Sequence, residues 1–158
     1  FGVWPPQEKS LWKAWAVKNH LAAAHIRTYR LIHKIYKELN LPKPFVSMAQ
    51  HMQAFVPCSP DVKNKFAAFL RHQWFNLGLI DAFARHKALD FIGLNYYSQQ
   101  LVELEKWGFR NLAADVCKND HHPVKKNSLG WDIYPEGLCD LEVRSDPGSF
   151  LVAGSLAS

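Results

Sequence analysis

The stretch Leu89-Asp90-Phe91-Ile92-Gly93-Leu94-Asn95-Tyr96-Tyr97 constrains this chain more than any other. It is a short apolar run that ends in an amide and two phenols. As a strand it alternates faces, so Phe91, Gly93, Asn95 and Tyr97 share one side. Apolar residues fill both faces of its body, the pattern of a parallel strand buried under helices. Its polar groups come last, at the carboxyl end, where ligands bind in α/β barrels and open α/β sheets. The plainer alternative is a buried strand whose Asn and Tyr merely cap a turn.

The segments before this run are helical. Ser10 is a candidate N-cap, and Leu11, Trp15, Leu21, Ala24, Leu31, Ile32, Ile35 and Leu39 recur at near-helical spacing. This predicts one long helix, or two with a kink, ended by Asn40 and Pro42. His20, His25 and His33 lack the i, i+4 spacing of helical metal sites and are read as packing or surface residues. Pro44 to Pro57 reads as a strand followed by a loop, with Gln50, His51 and Gln53 on a lip. A second helical block spans Pro60 to Lys87. Ser59 is its candidate N-cap, Phe66, Phe69, Leu70, Trp74 and Leu77 its inward stripe, and Gly78 its break. Helix–strand–helix–strand connections of this length argue for βαβ units.

Charge and cysteines exclude several function classes. The formal charge of +5 comes from scattered Lys and Arg rather than a stripe, which suits solvated helix surfaces and predicts no nucleic-acid partner. Cys58, Cys117 and Cys139 are odd in number and lack C-x-x-C spacing. Reduced thiols and a cytoplasmic location are expected from that. No run is long and apolar enough to predict a membrane span. Asp120-His121-His122 has ligand-type residues but no further ligand at a recognisable spacing, so no metal and no cofactor are expected.

Two further motifs flank the central run. The chain carries Gly2-Val3-Trp4-Pro5-Pro6 before it and Gly130-Trp131-Asp132-Ile133-Tyr134-Pro135-Glu136-Gly137-Leu138 after it. Taken together, the three resemble glycoside hydrolase family 1, the retaining β-glucosidases and 6-phospho-β-glycosidases, over residues 1–138. The resemblance implies the central βα units of a (β/α)8 TIM barrel, an α/β fold of which this length supplies only a part. It also implies a β-glycoside or oligosaccharide substrate and a role in carbohydrate metabolism. Residues 139–158 depart from the family pattern and form a divergent tail, for which a frameshift or disorder is the expectation.

Retaining glycosidases need two carboxylates about 5–5.5 Å apart, an acid/base and a nucleophile. In the family these are the Glu of an Asn-Glu-Pro motif and the Glu of a Glu-Asn-Gly motif. Neither tripeptide occurs here, so the chain by itself is expected to be inactive. The resemblance assigns a supporting shell instead. Tyr97 matches the tyrosine that positions the nucleophile, and Asn95 lines the same floor. Gln100 stands where some members have a His, and Trp131 matches an aromatic wall that stacks on the sugar, unless it is a core tryptophan. His51 departs from the Asn common at that lip. The alternative function is a non-catalytic carbohydrate-binding or interaction module derived from the barrel.

Overall fold

The computed structural model describes residues 7–104, 115–117, 125–141 and 152–156. The Trp-Pro-Pro loop and the Asp120-His121-His122 run lie outside them. In chain order the elements are α1 (Leu11–Glu38), β1 (Ala49–Pro57), α2 (Val62–Arg71), a π-helical turn (His72–Leu77), α3 (Gly78–Arg85), β2 (Ile92–Glu103), β3 (Asp115–Val116), α4 (Gly137–Asp140) and β4 (Val152–Leu156).

β2 is the centre of the sheet. β1 pairs with it in parallel from Ala49↔Gly93 to Pro57↔Val102, with a register shift between Met52 and Ala54. β4 pairs in parallel along Ile92–Tyr96 and β3 antiparallel at Val102 and Glu103. A strand has only two edges, so β4 and β3 share the one that β1 leaves. The architecture is α/β with a largely parallel sheet, as expected from the βαβ pattern. Close approach of the strands explains Gly93, where a Cβ would stand 3.2 Å from the Ala49 Cα.

Helix α1 is one continuous helix. The Ser10 hydroxyl accepts from the Lys13 N–H, and Asn40 leaves the helix at φ 53, a left-handed value that Asn tolerates. The large apolar residues expected to face inward do not. Ala22 and Ile26 are buried, with His25 and Tyr29 beside them, while Trp15, Leu21, Leu31, Ile35 and Leu39 are exposed. The second block is mixed: Ala67 and Ala68 are buried and Phe66 and Phe69 exposed, while Leu70 and Trp74 are half-buried and Leu77 packs against the main core. Close packing of helices on the sheet selects small residues at the contact, so size misidentified the buried face.

Two boundaries also differ from expectation. Asp61, not Ser59, stands at the N-cap of α2, with the Ser59 hydroxyl bonded to its carboxylate. Gly78 does not break the second block. It begins α3 after the π-helical turn, whose fully buried Asn76 donates to the Gln53 carbonyl and accepts from the Gln53 N–H. The amide thereby satisfies the backbone at the place where the β1 register slips.

Met52, Ala54, Ile80, Ile92, Leu94, Tyr96 and Leu141 form the main core cluster. Leu94 and Tyr96 therefore point opposite to Asn95 and Tyr97, as strand alternation requires. At the amino end of β2 the Asp90 carboxylate gathers three segments. It accepts from the Tyr29 hydroxyl (2.8 Å), the Val46 N–H (2.9 Å) and His33 Nε2 (3.0 Å), with the Lys43 ammonium 3.4 Å away. Burial alone would raise its pKa. The three hydrogen bonds and the Lys43 charge outweigh that and hold it below the ordinary carboxylate value. Burial and the same carboxylate push the Tyr29 phenol up to about 12.

Cys58 and Cys117 are joined as a disulfide, contrary to the expected reduced thiols. Spacing along the chain could not reveal the pairing, because it depends on the sheet register. Cys58 follows β1 and Cys117 follows β3, and both strands pair with the same end of β2.

Candidate functional site

The candidate site lies along one face of β1 and β2, from His51 and Asn95 through Tyr97, and reaches Gln99 and Gln100 in the carboxyl half of β2. His51 and Asn95 are register partners on adjacent strands, so His51 sits within a strand and not on the lip loop expected for it. The rule of two then puts His51, Asn95 and Tyr97 on one face. His51 packs edge-on against Tyr97, with ring centroids 5.0 Å apart, and against Phe75 at 5.5 Å. Tyr97 packs edge-on against Trp131 at 5.7 Å. Four aromatic rings thus form one continuous run in the edge-to-face geometry that such rings prefer. His51 is exposed at its strand face, and partial desolvation by the neighbouring rings lowers its pKa, favouring the neutral imidazole.

Trp131 is delivered by a tight turn. The Asn127 side-chain carbonyl accepts from the Leu129 and Trp131 N–H groups, each at 3.0 Å, and the Asn127 N–H donates to the Trp131 carbonyl. Gly130 takes φ 77, a left-handed value that Gly adopts without penalty. The turn leaves the indole 43% exposed, so Trp131 is not a core residue. Beyond it, Gly137 opens α4 where a Cβ would collide with the Tyr96 hydroxyl and the Tyr134 ring. That hydroxyl donates to the Tyr134 carbonyl at 2.5 Å, fastening the Pro-Glu-Gly-Leu segment to β2. Glu136 is exposed at the start of α4.

Between Trp131 and the sheet lies a cavity of about 210 Å³, lined among others by Gln99, Gln100, Cys117, Trp131 and Asp132. Gln99 and Gln100 belong to β2, which runs past Tyr97 to Glu103, farther than the apolar run indicated. Gln99 Nε2 donates to the Asp132 carboxylate at 3.2 Å. The Gln100 Oε1 is buried with no hydrogen-bond partner among the described residues. This cavity presents an indole face, amide groups and a carboxylate, donors and acceptors suited to a hydroxyl-rich ligand. His51, Tyr97 and Trp131 are in ring contact, Asn95 is the register partner of His51, and Gln100 stands on the cavity wall.

Sequence reasoning missed Asp132, Gln99 and Phe75. Asp132 was visible as the neighbour of Trp131. Gln99 lies in the part of β2 beyond the apolar run, and Phe75 enters the group from the π-helical turn, whose altered phase no periodicity announces. No group of three or more His, Cys, Asp or Glu able to hold a metal ion occurs among the described residues.

The sheet and its helical cover define an α/β fold with a cavity against one face of the sheet. No protein-family model matches the chain. It is 25% identical over 165 aligned positions to a 1,4-beta-D-glucan glucohydrolase of Thermotoga neapolitana, covering 87% of this chain and 36% of that protein. Beta-glucosidase A of Thermotoga maritima is 24% identical, with 87% and 35% covered. Among solved structures, a beta-glycosidase from Pyrococcus horikoshii superposes with a TM-score of 0.69 at 26% identity, covering 87% of this chain and 33% of that one. The family 1 β-glucosidase from Thermotoga maritima gives 0.65 at 21% identity. The chain therefore resembles glycoside hydrolase family 1 and spans about a third of the length of the curated relatives it matches.

Proposed function

We propose that this chain forms the sugar-facing wall of a β-glycosidase-type (β/α)8 barrel, binding β-glucosides or related sugars without hydrolysing them alone. The observation that carries the reading is the His51–Tyr97–Trp131 run beside Gln99, Gln100 and Asp132. A partly exposed indole over amides and a carboxylate suits a pyranose, which offers an apolar face and a rim of hydroxyls. In this reading Trp131 stacks on the sugar or its aglycone, Gln100 and Asn95 bond its hydroxyls, and the Tyr97 phenol would orient a carboxylate supplied from elsewhere. Inactivity follows from chemistry. The chain lacks Asn-Glu-Pro and Glu-Asn-Gly, and β4, parallel to β2 beside Asn95, reads Val-Ala-Gly-Ser-Leu with no carboxylate. Retention with a covalent intermediate needs a nucleophilic carboxylate.

The test is titration of deoxynojirimycin, a compound seen bound to the Thermotoga maritima β-glucosidase, alongside an assay of p-nitrophenyl β-glucoside. Binding without nitrophenolate release is the expected result. Hydrolysis by the purified chain, abolished in Tyr97→Phe, would overturn the inactivity. The second reading, a self-standing carbohydrate-binding module, is favoured by β4, since the chain's own strand covers the β2 edge that would otherwise be open.

A further inference from the structure

We propose that Cys58 and Cys117 form a reversible thiol–disulfide exchange site that latches one wall of the cavity. The Cys58 N–H donates to the Val102 carbonyl at 2.9 Å and the Cys117 N–H to the Leu101 carbonyl at 3.4 Å. Adjacent carbonyls of β2 thereby fix both backbones, and the Cα atoms stand 6.2 Å apart, inside the span of a disulfide. Fold geometry alone brings the thiols together, across 59 residues of chain.

The bond matters because, among the described residues, its far end has only a short pairing with the sheet. β3 pairs with β2 through two residue positions only, Val102↔Val116 and Glu103↔Asp115. Cys117 follows directly and borders the cavity with Trp131, Gln100 and Asp132. The disulfide ties that wall to β1, the strand carrying His51. Neither cysteine is fully buried, so small reagents have access.

Exchange proceeds through a mixed disulfide. A thiolate of a small-molecule thiol attacks one sulfur and displaces the other as thiolate, and a second reagent thiol resolves the adduct. The pair gains two electrons and two protons while two reagent thiols become one reagent disulfide. A small-molecule disulfide drives the reverse. Among the described contacts, reduction leaves β3 its two-position ladder and the Cys117–Leu101 backbone bond, which loosens the cavity wall.

The consequence for sugar binding rests on the proposed function; the latch itself does not. Whole chain would be equilibrated in oxidised glutathione or in dithiothreitol, alkylated with iodoacetamide and mapped by peptide mass. Cys58 and Cys117 should escape alkylation in the oxidised sample and react in the reduced one. Amide hydrogen exchange at Val116 and Cys117 should quicken at least about tenfold on reduction, and Tm should fall by about 10 °C. Cys117→Ser should show the reduced behaviour in either buffer, while re-oxidation restores the parent chain. Alkylation of Cys58 and Cys117 after oxidation, or equal exchange rates in both states, would overturn the latch. Weaker deoxynojirimycin binding on reduction ties the latch to the cavity. No deoxynojirimycin binding in either state sinks the sugar reading, and the exchange rates still decide the latch.

Discussion

At the amino end of β2 a buried carboxylate has every partner it needs, whereas at the carboxyl end polar groups stand half-open. Asp90 takes bonds from α1 and from the approach to β1, and its side chain is 7% exposed. At the other end Trp131 is partly exposed and the buried Gln100 Oε1 lacks a partner among the described residues. A satisfied network rigidifies and specifies structure, while an unsatisfied one keeps capacity for a ligand. The same strand therefore divides its labour. One end anchors the helical layer and the other offers chemistry, the division that parallel α/β folds generally show.

The sharpest way to break this comparison is at Asp90. Asp90→Ala removes the acceptor of the part-buried Tyr29 hydroxyl and Val46 N–H, and about 2 kcal/mol of stability should be lost. Urea unfolding measures that, and a loss under about 1 kcal/mol would remove the amino end from its anchoring role. The acid limb carries a further sign. Because the folded carboxyl lies below its ordinary value, its contribution is complete above an unfolded pKa of about 3.9 and is lost as pH falls through the folded value. Asp90→Asn should flatten that limb.

The matching change at the carboxyl end should leave stability alone. Trp131 projects from a turn fastened through the Asn127 side chain and backbone, and an exposed side chain costs the fold little. Trp131→Ala should weaken deoxynojirimycin binding by about 1 kcal/mol, roughly fivefold in Kd, with the urea midpoint nearly unchanged. A large stability loss with intact binding would reverse the assignment of the two ends.

How far the sequence disclosed this division varies by residue. Asn95 and Tyr97 were placed on one face by alternation alone, and Ser10 and Asn40 announced the ends of α1, because these signals are local. The buried faces of α1 and α2 were not legible. Ala22, Ala67 and Ala68 make the contacts, and nothing in hydrophobic size marks a small residue as the one that packs. The Asp90 network joins positions 57 and 61 residues apart, and the Cys58–Cys117 pairing depends on β1 and β3 flanking one strand. Both are consequences of register, which no single segment encodes.

The smallest expected effect separates the two ends along the pH axis. His51, edge-on to Phe75 and Tyr97, has its pKa lowered by desolvation. A lowered folded pKa means that stability is complete above the unfolded value of about 6.5 and declines as pH falls through the folded one. The carboxyl end should therefore soften in mild acid, well before Asp90 loses its charge. His72 shifts in the same direction through its own burial, and its Nδ1 lies 3.0 Å from the Asn76 amide nitrogen. It contributes to the same limb, so the limb must be divided between them. Replacing His51 with Phe keeps an aromatic ring in the run and removes one titration. Stability measured from pH 7 to pH 5 should then fall less steeply than in the parent chain, with imidazole resonances reporting each histidine directly. An unchanged slope would assign the mild-acid response wholly to His72, and the acid-sensitive part of this end would be its helical cover rather than its ligand-facing ring.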